Sequence, residues 1–356
     1  MLMNEPLSID VSRAVYSDEA AWNTYVEQHP SATPYHRFDW MKAVENSYKQ
    51  TIAGLLARNS NGEVLGVLPM VDFSVPLISN RLVSLPYCDL GFIIADNKHV
   101  EKQLLDSAIS LAQRTGAKAT QIRAISKETQ EAQTLDGKKV RMMLSLPDTS
   151  DELMASFKSK LRSQVRKAEK NGLTFKTRSS LQLIDDFYYV YSTNMRDLGS
   201  PAHAKKWFKA VIAAYKTNAL ISVVYTDRQP IGAGIVLKNG SSACIPWAST
   251  IQAFNKLAPN MLLYWSVLSH CADNHIQHFD FGRSTFNEGT FKFKKQWGAE
   301  PELLEWQTFD SKGSLLPEHS SGQKGALRSG IESAWRKLPT SLATQLGAFL
   351  RPYISL

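Results

Sequence analysis

Cysteine is scarce in this chain, and long apolar runs are missing. The 356 residues include three cysteines, Cys88, Cys244 and Cys271, which lie far apart in the sequence. An odd number of widely spaced cysteines argues against a disulfide framework and is typical of a reducing compartment. No apolar run approaches the ~20 residues that cross a bilayer, and the first residues lack the basic start and apolar stretch of a signal peptide. We therefore expect a cytoplasmic protein.

Sequence motifs for several kinds of chemistry are also missing. There is no glycine-rich phosphate loop or dinucleotide fingerprint, since Gly232 and Gly234 lie inside an apolar, strand-like run. No serine occupies a nucleophile elbow and no cysteine has an evident histidine partner, so covalent catalysis is not indicated. His270 and His275 are five residues apart, which disfavours a zinc site on one helical face. We expect no metal and no permanently bound cofactor.

The composition is that of a folded protein with excess positive charge. Hydrophobic residues make up 43% and charged residues 21% of the chain, and the length favours two domains. The net charge of +8 favours an anionic partner, such as a phosphorylated substrate, RNA or a membrane surface. The alternative is a basic protein whose charge has no dedicated partner.

Strand and helix patterns occur twice in a similar order. Asn61-Gly62 predicts a hairpin between strands at 51–58 and 63–73. Helices are predicted from their apolar spacing and end signals at 99–115, which Gly116 ends, at 150–171 and at 259–272. The order favours mixed α/β domains rather than one long sheet. We expect an N-terminal domain at 1–147, a C-terminal domain at 148–310 and a basic amphipathic tail at 311–356.

The predicted helix at 150–171 is strongly basic. Arg162 and Arg166 are four residues apart and hence on one face, where they could grip a phosphate together. Lys167 follows, and Glu169 is the one acid between 153 and 171. The alternative is an ordinary solvated face, and the pattern leaves both interpretations open.

The stretch FDFGRSTFNEGTFKFKKQWGAE at 279–300 mixes aromatic and basic residues. It begins as a strand, with a turn expected at Gly282. Aromatic spacing predicts that part of the stretch packs inward, so that Lys294 is desolvated beside Phe293 while Lys292 or Lys295 faces water. A fixed, dry ammonium can stabilise a developing oxyanion. The alternative is a lysine whose stem merely lies along the aromatic rings.

These segments resemble a known family. FDFGRS followed by GTFKFKKQWG is similar to the C-terminal signature of the FemAB-type aminoacyltransferases, and KLRSQVRKAEKNGL resembles the basic helix of that family. LAPNMLLYWSVL, PYCDLGF and YHRFDWMKAVENSY resemble further motifs, so that the resemblance spans about residues 30–305. HRFDW and the C-terminal tail are most similar to FemAB-related proteins of exosortase (PEP-CTERM) and exopolysaccharide systems.

The resemblance implies an α/β fold with tandem GNAT-like acyltransferase domains. It also implies transfer of an aminoacyl or acyl group from an activated carrier, aminoacyl-tRNA or acyl-CoA, to an amine of a nucleotide- or lipid-linked cell-wall or exopolysaccharide precursor. The chain lacks the coiled-coil insertion of some members, and the CoA loop of ordinary GNAT enzymes is not evident. The alternatives are an acyl-CoA-dependent N-acyltransferase, or a non-catalytic module that binds anions or a membrane surface.

Site residues follow from the same resemblance. Lys294 and Phe293 match the catalytic Phe-Lys pair. Asp89 is a weaker candidate for placing the acceptor amine or receiving its proton, and could equally cap its loop. The implied substrate-binding residues are Arg162, Arg166, Lys167, Arg283, Trp40, Tyr264 and Trp297.

The tail combines basic and apolar residues. Residues 322–356 contain Lys324, Arg328, Arg336, Lys337 and Arg351 against the single acid Glu332. Apolar residues recur among them at helical spacing, which is typical of a segment resting on an anionic membrane face. The alternative is a pair of short helices packed back on the protein, because Pro339 and Pro352 interrupt the pattern.

Overall fold

A computed structural model of the chain describes residues 9–126, 135–317 and 326–355. These residues form two compact units, one from 9–126 and 304–317 with Ser355, the other from 135–303 and 326–354. The units interleave along the chain, whereas the expected domains are continuous; that division stays a prediction. No helix in the described ranges has both the length and the hydropathy needed to cross a bilayer.

The first unit contains two sheets. An antiparallel sheet has the spatial order β1 (Asp10–Arg13), β3 (Leu55–Arg58), β4 (Val64–Leu68), β7 (Ile94–Ala95). A mixed sheet has the order β2 (Thr51–Ile52), β5 (Val71–Val75), β6 (Ser79–Val83), β8 (Ala119–Ile125), followed by residues 304–310 of β15 (Glu300–Asp310) and then β16 (Leu315–Leu316). The β6–β8 pair is parallel. The helices are α1 (Glu19–Gln28), α2 (Phe38–Tyr48) and α3 (Lys98–Thr115).

Helix α3 confirms the sequence prediction. The Asn97 side chain accepts from the backbone N–H groups of His99 and Val100, and so caps the start of the helix. Gly116 adopts the left-handed conformation with φ 69° and ends it. Val100 and Leu104, one turn apart, are fully buried against the antiparallel sheet.

The second unit is built on one mixed sheet. Its spatial order is β10 (Leu173–Arg178), β11 (Ala219–Thr226), β12 (Gln229–Asn239), β13 (Ser242–Thr250), β14 (His278–Thr285), β9 (Lys139–Ser145) and residues 300–303 of β15. The β13–β14 pair is parallel and the other pairs are antiparallel. The helices are α4 (Ser150–Ser156), α5 (Ser159–Lys170), α6 (Ile184–Leu198), α7 (Lys205–Tyr215), α8 (Pro259–Ala272), α9 (Gly289–Lys295), α10 (Ala326–Arg336) and α11 (Thr340–Leu350).

Helices α8 and α6 cover opposite faces of this sheet. Side chains alternate along β11, so Val224 joins the apolar cluster of α8 while the Tyr225 hydroxyl donates to Asp186 of α6 at 2.6 Å. The predicted helix at 259–272 is confirmed residue for residue. Ten of its fourteen residues are buried, which places it in the centre of the unit.

Two predicted elements are wrong in their continuity. The helix expected at 150–171 is divided into α4 and α5, because Phe157 takes an extended backbone (φ −74°, ψ 145°) that directs its ring against Trp297, with ring centroids 5.4 Å apart. The strand expected at 63–73 is divided at Pro69 into β4 and β5, which belong to different sheets. Proline lacks the N–H that a continuous strand would use.

The tail helices α10 and α11 pack against α6. Contact is close, since a Cβ on Gly347 would lie 2.5 Å from the backbone nitrogen of Ala202. Beyond α11, Arg351 Nε donates to His203 Nε2 at 2.8 Å. Of the predicted basic residues, Lys324 lies outside the described ranges, and so does the side chain of Arg328.

Candidate active site

The site is formed in part by a β-bulge in strand β14. The Asp280 carboxylate accepts from the Gly282 N–H at 2.7 Å, and the register with β9 shifts between Asp280 and Arg283. Gly282 has φ 76°, in the region that favours glycine. The expected turn at Gly282 is therefore wrong: the strand continues to Thr285, and the residue forms a bulge within it. Phe281 and Gly282 consequently have no register partner on β9, and pairing resumes at Arg283.

The Lys294 side chain lies against this bulge. Its ammonium donates to the carbonyl oxygens of Gly282 and Arg283, both at 2.9 Å. The side chain belongs to α9 and is only 7% exposed. Lys292 is exposed, and Lys295 forms an exposed ion pair with Glu300 at 2.5 Å. The structure confirms the expected contrast between a dry Lys294 and its solvated neighbours.

Lys294 lines a cavity of about 320 Å³ within the second unit. The cavity lies where β13 parts from β14: the two strands pair over Ser242–Cys244 and His278–Asp280, and their described residues do not pair beyond. Elements α6, β13, α8 and α9 all contribute to the lining. The lining residues are Asn194, Ala248, Ser249, Thr250, Asn260, Tyr264, Gly289, Thr290, Phe293 and Lys294.

An aromatic group supports the cavity wall. The Tyr264 ring stacks on Phe281, with centroids 5.3 Å apart and an interplanar angle of 20°, and contacts Phe293 at 5.1 Å. Burial raises the pKa of Tyr264, so its hydroxyl stays protonated. Trp297 is 1% exposed and lies 6.1 Å from the Tyr264 ring and 6.3 Å from that of Phe293. It thus supports two lining rings without lining the cavity itself.

The other predicted binding residues of the second unit lie outside this lining. Arg162, Arg166 and Lys167 are on α5, where Arg166 and Lys167 are exposed and Arg162 is half-buried. Arg283 contributes its carbonyl to Lys294, and its side chain is half-buried. Binding roles for these four residues stay predictions.

Trp40 and Asp89 belong to the first unit. Trp40 is fully buried in α2, and its indole N–H donates to the Pro86 carbonyl at 3.1 Å. Asp89 follows in the same loop, is half-buried, and accepts from the Trp306 indole at 3.1 Å through its backbone carbonyl. Trp40 therefore supports the loop that carries Asp89, and the roles predicted for both stay predictions.

Several cavity residues were missed in the sequence. Ser249 and Thr250 end the apolar strand β13, and a polar pair at a strand end is a detectable signal of a site. Asn260 lies two residues after Ala258, the N-cap of α8. Ala258 has a φ of 61°, an unusual conformation that no sequence signal predicts. The Asn194 amide donates to the Ser249 hydroxyl at 3.2 Å, a contact between α6 and β13 that no local pattern predicts.

Comparisons with known proteins agree with this architecture. Residues 155–295 match the family model described as an acetyltransferase (GNAT) domain. The crystal structure of FemX is similar with a TM-score of 0.66 and 15% identity, covering 83% of this chain and 95% of that one. A tandem GNAT protein from the clavulanic acid biosynthesis pathway gives 0.52 and 12%, covering 88% and 100%.

A third similar structure, of L-PGS from Bacillus licheniformis, gives a TM-score of 0.54 at 10% identity and covers 85% of this chain and 94% of that one. No curated protein sequence matches significantly. At these identities the structural likeness shows the fold alone. The fold is thus mixed α/β of the tandem GNAT type, and residues 155–295 form a GNAT-type acyltransferase domain.

Proposed function

We propose that the second unit transfers an acyl or aminoacyl group from an activated carrier to an amine, with Lys294 stabilising the oxyanion. The observation that carries this proposal is the buried Lys294 ammonium, held by two carbonyls at the wall of a cavity. A positive group that is already oriented and poorly solvated stabilises developing negative charge without reorganisation during the reaction. Lys294 acts here as a catalytic residue.

The amine nitrogen attacks the carbonyl carbon of the donor, a C–N bond forms, and the carbonyl oxygen becomes negative. Lys294 donates a hydrogen bond to that oxygen. Collapse of the intermediate breaks the bond to the sulfur or oxygen of the carrier, which needs a proton. Tyr264 lines the same cavity and its hydroxyl is protonated, so we assign this proton transfer to Tyr264. The attacking nitrogen gives its extra proton to the Tyr264 oxygen, which restores the hydroxyl, so the products are the amide and the protonated carrier.

A phosphate-bearing carrier is favoured by helix α5. The basic residues at its N-cap and along it make no ion pair within the described ranges; they are Lys158, Lys160, Arg166, Lys167 and Lys170. Acyl-CoA and aminoacyl-tRNA both carry phosphates. We propose acyl-CoA, the donor of GNAT acyltransferases, as the first candidate, and aminoacyl-tRNA as the second.

The acceptor in this proposal is an amine of a cell-wall or exopolysaccharide precursor, linked to a nucleotide or a lipid. Support comes from the FemAB-like signature that contains Phe293 and Lys294, both of which line the cavity. A GNAT fold alone serves many acceptors, so the acceptor class rests on this signature.

The test combines labelled acyl-CoA or aminoacyl-tRNA with amine-bearing precursors of both kinds. Lys294→Ala should lower kcat by roughly 10²–10³, as the loss of one oxyanion donor does. Lys292→Ala is the matched control, because it removes an exposed lysine from the same helix. Tyr264→Phe should lower kcat while leaving the stacked ring in place. Full activity of Lys294→Ala, with an unchanged melting temperature, would contradict the role of Lys294.

A further inference from the structure

Helix α11 leaves an apolar strip uncovered. One side of the helix packs against the protein, with Ala343 and Gly347 buried. The adjacent side, together with the 3₁₀ turn Arg351–Tyr353 that follows the helix, carries five large apolar residues that are 40–71% exposed: Leu342 (42%), Leu346 (40%), Phe349 (71%), Leu350 (40%) and Tyr353 (41%). We call these five residues the tail face.

The spacing of the tail face makes it one surface. Leu342, Leu346 and Phe349 recur after four and three residues, which aligns side chains along a helix. The residues of α11 that are buried against its own unit are Ala343 and Gly347, so the tail face lies beside that contact. Clustered apolar side chains that stay in water mark an interaction site more often than scattered ones do.

Positive charge directly precedes helix α11 in the chain. Arg336 is the last residue of α10 and Lys337 follows it; both are exposed. Lys337 forms no ion pair with any described residue, and the single acid of residues 322–356, Glu332, lies 4.0 Å from Arg336. A segment that combines exposed leucine and phenylalanine with lysine and arginine has the composition of segments that lie in a membrane interface.

We propose that the tail face binds the surface of an anionic lipid bilayer. The leucines and Phe349 enter the boundary between headgroups and acyl chains, while Arg336 and Lys337 lie among the headgroups. The helix spans only 11 residues, so this is a contact with one leaflet. A second copy of the chain is disfavoured as the occupant, because protein interfaces are depleted in lysine at their centres. The inference is independent of the proposed chemistry.

The first test is flotation of the full chain with vesicles of phosphatidylcholine, with and without phosphatidylglycerol. The wild type should bind the anionic vesicles, and added salt should weaken binding. A triple variant, Leu342→Ser with Leu346→Ser and Phe349→Ser, should bind at least tenfold more weakly. Lys337→Gln should cost about fivefold, since one base near the surface contributes about 1 kcal/mol.

The matched control is Leu77→Ser with Ile78→Ser. These side chains are 108% and 71% exposed at a hairpin tip of the first unit, so they test whether any exposed apolar pair produces binding. Their replacement should leave vesicle binding unchanged. Loss of binding in this control equal to that in the triple variant would overturn the assignment to the tail face.

A second test reads the contact directly. The three native cysteines are buried, so Phe349→Cys can carry a polarity-sensitive dye. Its emission should shift to the blue when anionic vesicles are added, and a dye on Leu77→Cys should not respond. The proposal fails if the wild type binds no vesicles at low salt. It also fails if sedimentation shows a dimer that the triple variant abolishes while vesicle binding is absent.

Discussion

Acidification should weaken the second unit through His203. This residue lies between α6 and α7 and is 1% exposed. Its Nε2 accepts from Arg351 Nε at 2.8 Å, and its ring lies beside Trp207 with centroids 5.6 Å apart. An imidazole that accepts at one nitrogen carries its proton on the other and is neutral. Burial first, and the Arg351 charge second, hold the pKa of His203 well below its ordinary value of 6.5.

The sign follows from proton uptake. Below about pH 6.5 the unfolded chain binds a proton on this imidazole while the folded chain does not, so the free energy of unfolding falls as the pH falls. The slope approaches about 1.4 kcal/mol per pH unit, which sets an upper limit of about 2 kcal/mol between pH 6.5 and pH 5. Above about pH 7.5, where the imidazole is neutral in both states, the same group leaves stability unchanged.

Urea unfolding of the wild type and of His203→Gln at about pH 5, 6.5 and 8 measures this effect. The glutamine oxygen can still accept from Arg351 but does not titrate. All other ionisable groups are common to both proteins, so the difference between their free energies of unfolding isolates His203. We expect the wild type to lose stability relative to the variant below pH 6.5. A difference that stays constant from pH 8 to pH 5 would refute a buried neutral imidazole.

Two further predictions concern packing. Gly347→Ala should destabilise the protein by about 1–3 kcal/mol, because the new Cβ meets the Ala202 backbone, whereas Gly330→Ala, in open space on α10, should be neutral or stabilising. Arg123→Met should lower the free energy of unfolding by about 3 kcal/mol, since the fully buried Arg123 donates to the carbonyls of Leu85 and Cys88 at 3.0 and 2.6 Å. Its control, Arg114→Met on the exposed end of α3, should change stability little. Melting temperatures of the four variants test both, and equal values within either pair would contradict the corresponding prediction.

Elements with strong local signals could be predicted from the sequence. Helix α8 and strands β11 and β13 are apolar runs bounded by Pro, Gly or polar turns, and their extents follow from local preference. The division of α4 from α5 could not be predicted, because Phe157 turns inward to meet Trp297, which lies far along the chain. Contacts of that kind have no local pattern.

The candidate site was predictable only where one segment carries it. Lys294 and Phe293 lie in a compact signature, so a pattern could find them. Asn194 and Ser249 meet because α6 covers the face of β13 next to the gap between β13 and β14, and the gap itself arises from where strand pairing stops. The cavity therefore depends on where the pairing of β13 and β14 stops, and no local sequence pattern predicts that point.

Helical phase decides which lysine of the signature enters the site. Alternation of aromatic and basic residues would place Lys292 and Lys294 on the same side of a strand, and both would then share one environment. In α9 the period is 3.6, so Lys294 lies on the side of Phe291, three residues earlier, and is buried with it, while Lys292 points to water. At the bulge, the backbone carbonyls of Gly282 and Arg283 both accept from the Lys294 ammonium. Lys292 and Lys294 are therefore similar in sequence context but differ in environment, because only Lys294 meets the bulge. Comparing alanine variants at the two positions distinguishes the loss of any positive charge on α9 from the loss of the charge held at the cavity.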